Sequence, residues 1–219
     1  MPYKMAIFDF DGTLADSFPW VVSVFDQVAE KYHLAGLGQG EVERLRRQGA
    51  RQIIKERRVP FWKILPIANY VRRLMAENIH HIRMFDGVDG LLRSLAAHGL
   101  LLGLVTSNTH PNVCRVLGAE RTGLFHFNEC SVSPFGKPGR LKKLLRKGGV
   151  QPHEAIYIGD EIRDLEAARK VRMPFGAVAW GYTHPDALEA HAPHEMFASV
   201  AEIPLKIGYT APAVSRHTR

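Results

Sequence analysis

Five short apolar runs, each set off from the next by a segment with helical spacing, constrain this chain more than any other feature. The runs span residues 3–8, 101–105, 124–127, 155–158 and 175–179, and helical spacing marks 87–98, 111–117, 139–147 and 162–171. A short continuous apolar run suits a strand buried on both faces, because neither face can then afford polar side chains. Strands alternating with helices call for crossover connections and hence parallel pairing. The expected fold class is therefore α/β, a Rossmann-like and mainly parallel sheet covered by helices.

One insertion breaks the alternation. Between the first run and residue 85 no strand pattern occurs. Pro19 stands in a first-turn position behind Asp16 and Ser17, either of which could cap a helix. Trp20, Val21, Val24, Phe25, Val28 and Tyr32 then recur at helical spacing, and helical character resumes over 41–47, 52–57 and 62–79. Residues 1–16 and 85–204 are thus expected to form an α/β core domain, and 17–84 an all-helical cap domain inserted after the first strand. From Leu205 onward periodicity is lost, so 205–219 reads as a mobile tail. The glycines at 36, 38 and 40 follow a helix rather than a strand, which makes them a connector and not a dinucleotide loop.

Charge is distributed unevenly. Of 29 basic and 22 acidic residues, 17–84 holds 12 and 6, which places almost the whole net charge of +7 in the insert. Such asymmetry suits either a nucleic-acid surface or an electrostatic funnel for a small anion. With 46% apolar and 23% charged residues, the chain is neither fibrous nor disordered. No apolar stretch approaches membrane-spanning length, and no secretory leader is visible, so a cytoplasmic location is expected and no membrane partner. Two cysteines, Cys114 and Cys130, are too few for a disulfide framework and are expected to be reduced.

Open parallel sheets bind ligands beyond the carboxyl ends of their strands. The first strand ends in Asp9-Phe10-Asp11-Gly12-Thr13 and the second in Thr106-Ser107-Asn108. Lys137 follows the third, and the fourth ends in Gly159-Asp160, with Asp164 four residues on. Carboxylates converging from separate strands repel one another unless a cation lies among them. Oxygen donors with no histidine or cysteine favour Mg²⁺ over zinc, and a partly open Mg²⁺ shell takes phosphate readily. Phosphoryl transfer is the reaction class this points to.

The run Asp9-Phe10-Asp11-Gly12-Thr13-Leu14 resembles the first motif of the haloacid dehalogenase-like superfamily. Thr106, Lys137 and Gly159-Asp160-Glu161-Ile162-Arg163-Asp164 resemble its other three motifs, in order. A helical insert directly after the first motif is similar to the caps of the phosphoglycolate phosphatase and β-phosphoglucomutase group. The resemblance implies that Asp9 is a nucleophile forming an aspartyl-phosphate and that Asp11 is the general acid and then the base. It implies Mg²⁺ held by the Asp9 carboxylate, the Asp11 main-chain carbonyl and Asp160. Lys137 would neutralise Asp9 and, with Thr106, Ser107 and Asn108, hold the phosphate. Gly12 would turn the backbone, Thr13 would orient Asp11, and Asp164 would act through water or hold Lys137. With Asp11 present, the resemblance implies phosphate esters rather than carbon–halogen bonds as the target.

The expected function is Mg²⁺-dependent hydrolysis of a small organic phosphate monoester, phosphoglycolate-like or a sugar phosphate, so the partner is a small anionic phosphorylated metabolite and no nucleic acid. A sugar-phosphate mutase is the nearest alternative. Cleavage of a phosphonate through a cap lysine (Lys55 and Lys63 are available) and a binding module built on the basic insert are more remote. In the cap, Arg47 or Arg51 could fork onto a second anionic group, with Gly49 allowing close approach; a plain solvated basic face competes with that reading.

Overall fold

The computed structural model describes residues 2–133 and 135–209. Its main sheet has six parallel strands: β1 (Met5–Phe8), β4 (Leu101–Val105), β5 (Phe127–Glu129), β6 (Ala155–Gly159), β7 (Phe175–Val178) and β8 (Glu195–Phe197). Their order is β5-β4-β1-β6-β7-β8, which puts β1 and β6 side by side at the centre.

Every residue of β1 and β6 is buried. The two-residue period of a strand divides them between two faces. Ala6 and Phe8 pack with α5 (Val88–Ala97), α6 (His110–Thr122) and α10 (Glu202–Lys206), through Leu91, Leu92, Leu95, Val113, Leu117 and Ile203. Met5 and Ile7 pack on the opposite face with α7 (Lys137–Gly148), α8 (Ile162–Lys170) and α9 (Pro185–Glu189), through Leu141, Leu144, Leu165, Ala168 and Leu188. Full burial of each such side chain contributes roughly 1.5–3 kcal/mol, which fixes the sheet register and with it the height at which each strand ends.

Within the insert run four α-helices, α1 (Phe18–Lys31), α2 (Glu41–Arg46), α3 (Ala50–Glu56) and α4 (Phe61–Glu77). The chain leaves for them through β2 (Ala15–Asp16) and returns through β3 (Arg83–Met84), an antiparallel ribbon absent from the sequence expectations because two residues are too short to show a period. Pro66 sits inside α4, and Tyr32 donates its hydroxyl to the Pro66 carbonyl at 3.0 Å.

Other elements differ from expectation in instructive ways. The strand expected at 124–127 lies at Phe127–Glu129 instead, because Leu124 and Phe125 form the turn after α6. Phe125 is apolar because it packs edge-on against Phe8, at 6.5 Å between ring centroids. Strand β8 was hidden by its polar neighbours. Helix α6 runs past 117 to Thr122 with a break at Gly118, whose φ is +77°. Of the tail expected from Leu205, Leu205 and Lys206 end α10, Ile207 is 2% exposed and Tyr209 donates to the Tyr3 carbonyl. Residues 210–219 lie outside the described residues.

Candidate active site

Three strand ends meet around Lys137. Asp9 directly follows β1, and its N–H continues the sheet by donating to the Ile158 carbonyl at 2.9 Å. Its carboxylate is 3% exposed. Lys137, the first residue of α7 and 2% exposed, places Nζ 2.7 Å from Asp9 Oδ2 and 2.5 Å from Asp164 Oδ1. Asp164 Oδ1 also accepts the Tyr157 hydroxyl at 3.2 Å, while its Oδ2 is buried without a partner. Asp160, at the end of β6 and fully buried, accepts the Thr13 hydroxyl at 3.0 Å and the Tyr182 N–H at 2.8 Å. Oxygens of Asp9, Asp160 and Asp164 all lie within 4.8 Å of one another.

Three buried carboxylates therefore lie together, and Lys137 pairs with two of them, Asp9 and Asp164. Burial pushes the Asp9 carboxyl up to about 8, against the pull of Lys137 and with the push of Asp164. Burial and then the negative charges of Glu161 and Asp9 lift Asp160 well above the usual carboxylate range. Burial opposes the Lys137 ammonium, but Asp164 and Asp9 outweigh it and raise its pKa. An all-oxygen donor set with excess negative charge and an unpartnered Asp164 oxygen fits a hard divalent cation.

Asp11 is held differently. The turn after Asp9 is closed by the Thr13, Leu14 and Ala15 N–H groups, all donating to the Phe10 carbonyl, and needs the positive φ (+74°) of Gly12. That turn sends the Thr13 hydroxyl to Asp160 rather than to Asp11, where it was expected. Asp11 is instead oriented by Ser17, which donates to Oδ1 at 3.0 Å, and by Asn108 Nδ2, at 3.2 and 3.1 Å from its two oxygens. Asn108 is fixed in turn by Asn112 Nδ2 at 2.9 Å. Burial raises the Asp11 pKa, and the Ser17 and Asn108 hydrogen bonds only partly offset it.

Residues 6–178 match the haloacid dehalogenase-like hydrolase family. This chain is one of those hydrolases. It is similar to a phosphoglycolate phosphatase of Synechococcus elongatus, with 31% identity over 200 residues covering 90% of this chain and 93% of that protein. It is also similar to an N-acetylmuramic acid 6-phosphate phosphatase of Pseudomonas aeruginosa, at 26% identity over 87% of this chain and 88% of that one. A haloacid dehalogenase-like hydrolase from Streptococcus pneumoniae shares the fold, with a TM-score of 0.75 at 20% identity over 93% and 98% of the two chains.

In this hydrolase the remaining expected residues scatter. Thr106 is buried, and its hydroxyl accepts the Asn108 N–H at 2.9 Å; Ser107 is half-buried beside it. Arg47 pairs with Asp186 at 3.0 Å and contacts His184 at 3.1 Å, on the outer seam between insert and core. Gly49 caps α3 and lies over Ile162. Arg51 stacks on Phe135 at 4.9 Å and lines a small cavity with Lys137 and Arg163. Lys63 donates to the Tyr32 carbonyl, and Lys55 is exposed on α3. Within the insert Arg44 pairs with Glu41 and Glu56, Arg46 with Glu43 and Arg57 with Glu41, and its excess of basic residues remains. The family match, rather than this pairing, makes the chain an enzyme and not a non-enzymatic binding module. Among the described residues no helix is long and apolar enough to cross a membrane.

Tyr157, Asn112 and Tyr182 escaped the sequence reading, and Ser17, read there as a possible helix cap, makes no side-chain cap and gives its hydroxyl to Asp11 instead. The signal for Tyr182 was present: Trp180-Gly181-Tyr182-Thr183 follows β7, a strand end to which the same carboxyl-end rule applies. A Cβ on Gly181 would stand 2.1 Å from the Asp160 Cβ and 2.5 Å from its Oδ2. Gly181→Ala is therefore expected to cost about 1–3 kcal/mol by overpacking and to lower the melting temperature by about 2–12 °C. Thermal unfolding checks this, and an unchanged melting temperature would contradict the packing.

Proposed function

We propose that this hydrolase is a Mg²⁺-dependent phosphatase acting on a small phosphate monoester, phosphoglycolate or a sugar phosphate, through an aspartyl-phosphate. The observation that carries this reading is the division of labour between two aspartates. Asp9 touches a buried cation and a carboxylate cluster, whereas Asp11 is held by neutral donors that tolerate its protonated form.

Lys137 grips Asp9 Oδ2 and fixes the carboxylate's rotation, which leaves Oδ1 to attack phosphorus. As the ester P–O bond breaks, the Asp11 carboxyl gives its proton to the leaving oxygen. Asp11, now ionised, takes a proton from a water that attacks the acyl phosphate and frees Asp9 and inorganic phosphate. The Thr106 hydroxyl, Ser107, Asn108 and the N-terminus of α6 would hold the non-bridging oxygens. Asp9, the Asp11 main-chain carbonyl and Asp160 would hold Mg²⁺, with Asp164 holding Lys137. The ion would screen the attack of one anion on another. In the insert, Arg51 is better placed than Arg47 to meet a second anionic group, because it shares a cavity with Lys137.

The direct test is phosphate release from a panel holding phosphoglycolate, sugar phosphates and N-acetylmuramic acid 6-phosphate, with Mg²⁺ and with chelator. Release from none of them overturns the reading.

Metal binding has its own readout. Carboxylates whose folded pKa is raised bind protons more tightly in the native than in the unfolded chain. Stability of the metal-free protein should therefore fall as pH rises from about 4 toward about 8, the window set by Asp9. Mg²⁺ at about 100 times its Kd should add about 2.7 kcal/mol, or about 5–11 °C in melting temperature, and more at pH 8 than at pH 5. A melting curve indifferent to Mg²⁺ at both values would contradict the cation site.

A further inference from the structure

We infer that Tyr182 is a positioning residue for the general acid, locked in place by Arg46 of the helical insert; this rests on the phosphatase reading above. Tyr182 touches both halves of the site. Its N–H holds Asp160 Oδ2 at 2.8 Å, and its hydroxyl lies 2.8 Å from Ser17 Oγ, which itself donates to Asp11 Oδ1 at 3.0 Å. The serine has one proton and gives it to the carboxylate, so the tyrosine must supply the other, and the chain runs Tyr182→Ser17→Asp11. Burial, followed by the charge of Asp11, raises the Tyr182 pKa, which keeps that donor protonated.

The insert reaches the same loop. Arg46, at the end of α2, donates Nε to the Tyr182 carbonyl and Nη2 to the Gly181 carbonyl, both at 3.0 Å. Its own carbonyl accepts the His184 N–H at 2.7 Å. The guanidinium also lies 5.0 Å over the Phe18 ring, which packs on the Tyr182 ring at 5.1 Å. One arginine thus clamps the backbone on which the tyrosine sits, and two rings fill the space between. With the insert seated, the Asp11 carboxyl is held in one rotamer. Without the clamp, Tyr182 loses its anchor and Ser17 the partner that aims its proton at Asp11.

General-acid positioning has a signature that structural damage lacks. An alkoxide needs a proton as it leaves, whereas p-nitrophenolate departs readily without one. Tyr182→Phe keeps the ring and removes the hydroxyl. It should lower kcat/KM, which reports formation of the aspartyl-phosphate and not its hydrolysis, by about 10–30-fold on phosphoglycolate or on whichever alkyl phosphate the wild type hydrolyses, a fraction of a full general-acid contribution. On p-nitrophenyl phosphate the loss in kcat/KM should stay below about threefold. Ser17→Ala should give the same selective loss, and the double variant no further loss, since both break one chain. Arg46→Ala should reproduce the selectivity from the insert side. Equal losses on the two esters, additive losses in the double variant, or no loss would overturn the positioning role. A wild type that hydrolyses neither ester would instead bring down the phosphatase reading itself.

Discussion

Asp9→Asn should reduce turnover of any phosphate ester by about 10⁴-fold or more while leaving the protein folded. Loss of a covalent nucleophile removes the whole pathway rather than one stabilising contact. The amide keeps an oxygen for Lys137, which lies 2.7 Å from Asp9 Oδ2. It also removes one of three crowded buried charges, so the melting temperature of the metal-free protein should hold or rise. Phosphate release and thermal unfolding, measured on one preparation, test both halves. Turnover within tenfold of wild type would end the nucleophile assignment. A large fall in melting temperature would show that the Asp9–Lys137 pair is a structural necessity.

Lys137→Met should damage stability more than any other single change at the site, and turnover as well. Its removal leaves Asp9 and Asp164 buried beside each other without the ammonium that touches both, and with Arg163, which pairs with Glu161, as the nearby positive charge. Breaking a buried pair by deleting one partner costs about 3–5 kcal/mol, or about 6–20 °C in melting temperature for a chain of this size. Turnover should fall by about 10²–10³-fold as well, the scale of losing one preorganised charge at a developing anion. Adding Asp164→Asn should recover part of the stability and little of the turnover, because it relieves the repulsion and does not restore the cation. Denaturation midpoints and initial rates separate the two. Full recovery of the rate in the double variant would mean that Lys137 serves only to balance Asp164.

The sheet was legible because its central strands are buried on both faces, so apolar runs such as 101–105 and 155–158 could signal little else. Its edges were not. Glu195–Phe197 carries one glutamate and only two apolar residues, and Leu124-Phe125 is as apolar as any strand yet serves as a turn that fills space beside Phe8. Asp9, Lys137, Asp160 and Asp164 do come together, a convergence foreseeable because carboxyl ends of parallel strands share one edge. The partner of Thr13 was misjudged because it depends on which way a five-residue turn sends one hydroxyl. Tyr182 was missed because an aromatic after a strand usually packs, and nothing local reveals that its main-chain N–H caps an aspartate 22 positions earlier.

The paired strands Ala15–Asp16 and Arg83–Met84 carry both crossings of the chain between sheet and insert. Asp9 is 3% exposed, and Met75 of the insert meets Asn108 beside Asp11, so a lift of the insert would open a way in for an ester. With both crossings side by side, that lift is the swing of a gate on a single pair of pins, and the sheet need not deform. How often the gate opens then sets a ceiling on throughput that no improvement at the nucleophile can raise.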